Sequence, residues 1–262
     1  MSNDYALAYG THASPLDGRC AMEWVSYLAG EAHSDEPVCV SPVLRAMCIA
    51  LNDGLEHAPR QRLRPYLTRT IGTAGDGLDP ERGWMAMDWL TRVYTPAWLH
   101  LAGLHRSGDE LASLSPVAGR RSLRRSLAVL EDTRRQARAA RAHAYGVALP
   151  SGWAATVAGR EAAWACAGAA AWAAARLGVG DAAGDRARSA AQATSGDAAA
   201  IAIRHSRDPA YGCARAVARA VLAPTLETLS ESALALLDRM LPTEVLAVPE
   251  PVTSPDVSLA LT

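Results

Sequence analysis

Residues 17–53 read DGRCAMEWVSYLAGEAHSDEPVCVSPVLRAMCIALND, and this stretch decides how the chain is read. Asp17 is a good N-cap, and Gly30 stands where a helix of about three turns needs a left-handed residue after its end. Ser41-Pro42 starts a second helix, with serine as cap and proline at the first helical position, where its missing N–H costs nothing. Asn52-Asp53-Gly54 stops that helix. The residues from Glu31 to Ser41 are therefore pinned between two helix ends, and such a loop is a common position for binding and catalytic groups.

The chemistry-bearing side chains concentrate here. At roughly 100° per residue, Cys20, Glu23, Trp24 and Tyr27 project from one side of the first helix. The loop adds Glu31, His33, Ser34, Asp35, Glu36 and Cys39. Glu23 beside two aromatic rings is expected to be desolvated and raised in pKa, with loop acids raising it further. That arrangement suits general-base work on an amine, or binding of a cationic one. Glu23, Glu31 and Asp35 are the candidate catalytic groups. Arg19, Cys20, Tyr27, His33, Ser34 and Cys39 are candidate substrate contacts. Each has a plainer alternative: buried cysteines as small apolar residues, Glu23 as an interface ion pair, the loop acids as solvated caps. Cys20 or Cys39 paired with His33 is a possible nucleophile. Zinc-ligand types occur, but no CxxC, HxxH or HExxH pair supplies a standard spacing, so neither metal nor other cofactor is expected.

Working outward, residues 1–16 read as an irregular arm. PRQRLRPYLTRT, residues 59–70, is a basic helix that Pro65 distorts, and GTAGDGL after it is a loop. Asp79-Pro80 starts a long helix, kinked near Pro96 and carrying Trp84, Trp89 and Trp98. Asp88 and Arg92, four apart on it, are read as an ion pair or as a polar anchor contacting substrate. Gly103 and Gly108 punctuate a short connection. Ser115-Pro116 opens the next helical region, which holds eight arginines between 120 and 141. Their spacing spreads them around the helix, as on a solvated rod.

From Gly152 to Pro224 alanine dominates, with Trp153, Trp164 and Trp172 near one helical face. Tryptophan wedges in alanine grooves are a core pattern. A last amphipathic helix, TLETLSESALALLDRML, precedes a proline-rich tail over 242–262, expected to be disordered or an extended arm. No strand pattern appears. The expectation is an all-α protein, an irregular bundle of about eight helices forming a single domain over 17–241, motif-rich over 17–108 and Ala/Arg-rich over 115–241.

The 262-residue chain has net charge −1, which argues against a dedicated nucleic-acid binder. It has no lysine, so all 26 basic residues are arginine. Five irregularly spaced cysteines suggest no disulfide framework, and with no secretory signal or membrane span the expected location is cytoplasmic.

The run DGRCAMEWVSYLAGEAHSDEP with Cys39, Ser41-Pro42-Val43 and Leu51-Asn52-Asp53, and DWLTRVYTPAWLHLAGL over 88–104, resembles a group of helical proteins of actinobacteria and their phages. The resemblance covers about residues 16–105 and implies a shared architecture, with no activity to carry over. A natural-product gene-cluster setting makes an unusual small-molecule enzyme the expectation: a cyclase- or lyase-type reaction on an amine-containing metabolite, as in antibiotic biosynthesis. The other expectation is a non-catalytic helical partner, of phage origin. In either case alanine and tryptophan faces suggest a homodimer or an obligate heteromer.

Overall fold

The computed structural model describes residues 6–145 and 212–243. Among these, helices run as α1 (Ala21–Leu28), α2 (Pro42–Gly54), α3 (His57–Arg60), α4 (Arg64–Thr70), α5 (Asp79–Trp89), α6 (Thr95–Leu101), α7 (His105–Ala112), α8 (Arg120–Tyr145) and α9 (Gly212–Met240), with no strand. The fold is all-α, as the residue pattern predicts. The alanine-rich stretch with Trp153, Trp164 and Trp172, and the tail beyond Thr243, lie outside the described residues. No helix among the described residues is long and apolar enough to cross a membrane.

Local signals place most boundaries. Ser41 Oγ accepts from the amides of Val43 and Leu44 at 3.2 and 3.3 Å, capping α2 with Pro42 in its first turn. Gly30, at φ 72°, takes the left-handed position after α1. That helix is shorter than expected: its N-cap is Cys20, not Asp17. The helical run around Pro65 is distorted as expected: a 3₁₀ turn over Gln61–Leu63 parts α3 from α4, and Pro65 stands in the first turn of α4.

The expected kink near Pro96 takes a specific form. Between α5 and α6 the chain makes a π turn, Leu90–Tyr94. In an uninterrupted α-helix the Pro96 ring would press on the carbonyl four residues back, so widening the turn just before it relieves the clash. Thr95 Oγ1 donates to the Leu90 carbonyl at 2.7 Å. Residues five apart now share a side, and the Trp89 and Tyr94 rings meet at 5.4 Å, with Trp98 next at 6.1 Å from Tyr94. Gly108 does not punctuate a connection. It lies buried inside α7, where a Cβ would come within 2.4 Å of the His100 ring, so its bareness lets α7 lie against α6.

The longest departure is α9. The sequence reading starts the last helix at Thr225, just after Pro224, but α9 begins at Gly212 and runs through that proline. Pro224 sits on the exposed side, where the carbonyl it deprives of a partner faces water. The opposite side carries Leu222, Leu229, Ala233, Leu236, Leu237 and Met240 into the core. There α9 packs on α2, α5 and α6. Arginines fasten its last turns. Arg62 pairs with Glu231, Arg69 with Asp238 and the Pro242 carbonyl, and Arg82 donates to the Met240 carbonyl at 3.0 Å. Cations there satisfy orphan carbonyls and complement the helix dipole.

Candidate functional site

The N-terminal arm builds the site. It is irregular, as expected, but docked along its length. Leu7 is fully buried and exchanges two hydrogen bonds with the Gln61 side chain, at 2.7 and 3.0 Å. Asn52 Nδ2 donates to the Ala8 carbonyl at 2.9 Å, while Asn52 Oδ1 accepts from the Ala21 amide at 3.1 Å. The arm then crosses the start of α1 and delivers His12 to Glu23.

Glu23 is 1% exposed. Its Oε1 accepts from the His12 amide at 2.6 Å, and its Oε2 accepts from the Cys20 amide at 2.7 Å. The same Oε2 lies 2.8 Å from His12 Nδ1. His33 Nε2 donates to the His12 carbonyl at 3.0 Å and lies 3.9 Å from Glu23 Oε1. An ionised carboxylate can only accept, so His12 carries its proton on Nδ1 and presents the Nε2 lone pair.

The expected upward shift of Glu23 is overturned. Burial alone would raise it, but hydrogen bonds from the Cys20 and His12 amides and from the His12 ring outweigh burial and hold the carboxyl below its usual range. The helix start helps, since Glu23 stands in the first turn of α1. Nor do loop acids crowd it. Glu31 accepts instead from the amides of Val38 and Cys39, at 2.8 and 3.0 Å, and staples its own loop. Burial works to raise Glu31 too, and the Cys39 thiol with these amides brings it down.

The other candidates separate into groups. The Arg19 guanidinium lies over both the Trp24 and Tyr27 rings, 4.7 and 4.5 Å from their centroids, and its buried Nε makes no hydrogen bond. Tyr27 is more than half exposed. Ser34 accepts from the Glu36 amide through Oγ and from the Ser26 hydroxyl through its carbonyl. Asp35 makes no hydrogen bond or ion pair among the described residues. Cys20 is 3% exposed, so substrate does not reach its side chain. Burial pushes the Cys20 thiol up to about 12, and burial with the Glu31 carboxylate pushes Cys39 up to about 11, so neither supplies a thiolate at neutral pH. Both, with Cys48, are free thiols.

Asp88 and Arg92 do form the i,i+4 pair, at 2.8 Å, but serve another place. Asp88 accepts from the Val117 amide at 2.7 Å and Arg92 donates to the Leu114 carbonyl at 2.9 Å, tying the connector before α8 to α5. No group of three or more His, Cys, Asp or Glu placed to hold a metal ion occurs among the described residues.

Sequence reading missed His12, which sits in an arm with no periodicity to phase it. One signal was available: Cys20-x-x-Glu23 has the spacing of a capping box, which turns the carboxylate back toward the helix start. No family model, curated protein or solved structure matches the chain.

Gly18 makes the crossing possible. At φ 122° it adopts a backbone that side chains rarely take, and a Cβ there would lie 3.1 Å from both Ala8 Cβ and His12 Nε2. Gly18→Ala is expected to destabilise the fold by about 1–3 kcal/mol and to displace the His12 ring. Chemical denaturation and the imidazole NMR signals of His12 check both parts.

Proposed function

We propose that this chain is a small-molecule enzyme, or the acid–base subunit of one, and that His12 rather than Glu23 transfers the proton. One observation carries the reading: a buried carboxylate holds His12 Nδ1 at 2.8 Å and leaves Nε2 as the basic atom. Glu23 fixes the tautomer and steadies the imidazolium formed in the reaction. Arg19, charged and braced against two rings, suits a carboxylate or phosphate of the substrate. Asp35, free of partners among the described residues, suits a cationic amine. Together these fit an amine-bearing acid of actinobacterial secondary metabolism, undergoing ring closure or elimination in the cytoplasm.

His12→Asn is the decisive variant, because its amide can still donate to Glu23 while Nε2 is lost. A mass-spectrometric screen of an amine-metabolite pool is expected to show a compound consumed by the wild-type chain. Consumption should fall by about 10²–10⁴-fold in the variant, with the melting temperature preserved. Equal turnover by both proteins removes His12 from the mechanism. No consumption of any compound, and none retained, sinks the enzyme reading.

A second reading is a non-catalytic partner in a homodimer or heteromer. It draws support from Tyr9, Leu16, Tyr27 and Val38, exposed apolar side chains carried by the arm, α1 and the adjoining loop. Light scattering that finds a monodisperse monomer at micromolar concentration counts against a homodimer.

A further inference from the structure

α8 concentrates charge. Residues 120–138 hold seven arginines against two acids, in a chain of net charge −1. They are spread over the solvated half of the helix, and its packing decides which half that is. Leu123, Ser126, Leu130 and Thr133 are buried, and at 3.6 residues per turn they share an arc of about 80°. All seven arginines are exposed. Arg120, Arg124, Arg134, Arg135 and Arg138 fall within an arc of about 100° that begins beside Leu123, and Arg121 and Arg125 extend the exposed row to about half of the helix. The row spans about 27 Å. Among the described residues only Arg135 has an acidic partner, Asp132 at 2.8 Å, and Asp132 is held by Gln136 as well. Glu131 is the other acid of the helix and is exposed.

We infer that this face of α8 binds the phosphate backbone of double-stranded nucleic acid, without reading its sequence. Whole-chain charge argues against such a partner, but a backbone-binding surface needs only a local row of cations, each guanidinium able to fork onto phosphate oxygens. The alternatives fit less well. An amphipathic helix enters a membrane surface by its apolar side, and here that side is buried in the protein core. Protein interfaces and single-stranded nucleic acid both draw on aromatic or apolar anchors, and α8 exposes no large apolar side chain among its described residues. What remains is charge on a rigid rod.

The test is fluorescence anisotropy of the full chain with a short labelled duplex of mixed sequence. Binding is expected at about 50 mM salt with Kd in the range of about 10⁻⁶–10⁻⁴ M, weakening steeply by about 200 mM. A second duplex of unrelated sequence should bind equally. Replacing Arg120, Arg124, Arg134 and Arg138 together by Gln keeps good helix formers at exposed positions, so circular dichroism should not change. The slope of log K against log salt should become shallower by about 3–4, at about 0.9 per lost phosphate contact. No binding at low salt overturns the inference, as does an unchanged slope in a folded variant. Equal binding of poly-glutamate or of anionic vesicles also overturns it, because the surface would then select charge alone.

Discussion

Glu23→Ala is expected to destabilise the protein by about 3–5 kcal/mol and to release the N-terminal arm. The carboxylate is 1% exposed and receives three donors: the amides of Cys20 and His12 and the His12 ring. Truncation leaves them facing a dry gap, at about 1–3 kcal/mol for each group that finds no substitute. The arm can escape by peeling away and hydrating its amides. That limits the loss, but it draws the buried Leu7 into water, at about 1.5–3 kcal/mol. Glu23→Gln keeps the volume but turns one acceptor into a donor, so an intermediate loss is expected. The pH dependence has a definite sign. A carboxyl held below its unfolded value adds stability above the usual carboxylate range, and this is lost as pH falls through the folded value. The wild type should therefore lose more stability in acid than Glu23→Gln, which loses only the share owed to other lowered carboxyls such as Glu31 and Asp76. Urea melts across the acid range, with hydrogen exchange at the amides of residues 6–16, measure both effects. A loss below about 1 kcal/mol with the arm still protected would show that Glu23 does not hold it.

Arg82→Ala is expected to cost about as much, at the other end of the fold. The guanidinium is 1% exposed and meets Asp76 Oδ1 and Oδ2 at 2.8 and 2.6 Å, Asp79 at 3.3 Å and the Met240 carbonyl at 3.0 Å. Asp79 also accepts from the Ser41 hydroxyl, the cap of α2. One side chain thus ties the Asp76 loop, the start of α5, the start of α2 and the end of α9. Removing it strands two neighbouring carboxylates and uncaps α9. Both carboxylates are partly exposed and can rehydrate, which keeps the expected loss near about 3–4 kcal/mol. At about 2–4 °C per kcal/mol, the melting temperature should drop by roughly 6–16 °C. Arg82→Met with Asp76→Asn should recover part of this, since the pair is then replaced rather than broken. A drop of under about 2 °C in Arg82→Ala would show the network to be dispensable.

The parts legible from sequence were those with local causes. Ser41-Pro42 and Asp79-Pro80 start helices by chemistry contained within a few residues, and both helices begin there. Gly30 is left-handed because the chain end of α1 demands it. Pro224 misled because a helix can run through a proline on its exposed side, where the freed carbonyl can reach water, and exposure follows from packing. The arginines of α8 were read as solvated and are, but the wheel gives only angles, and it takes the buried leucines to say which angle faces the core. At the site, the helix wheel put Glu23 with Trp24 and Tyr27, whereas its position in the first turn bends it back to the amides. Its partner His12 is brought by a tertiary crossing over Gly18, which no spacing in an irregular arm announces. Glu31 was placed correctly in the pinned loop, and its task there is to make the pin.

The π turn before Pro96 has an optical consequence. By bringing residues five apart onto one side, it sets the Trp89, Tyr94 and Trp98 rings in a fixed chiral row, all at most 2% exposed. Rings held at such separations couple their ultraviolet transitions, so the core writes its own near-ultraviolet dichroism. Losing one residue from Leu90–Tyr94 would turn Trp98 by about 100° and dissolve that band, even if helix content stayed the same. The molecule therefore carries an intrinsic chromophore whose signal reports the phase of a helix rather than its amount.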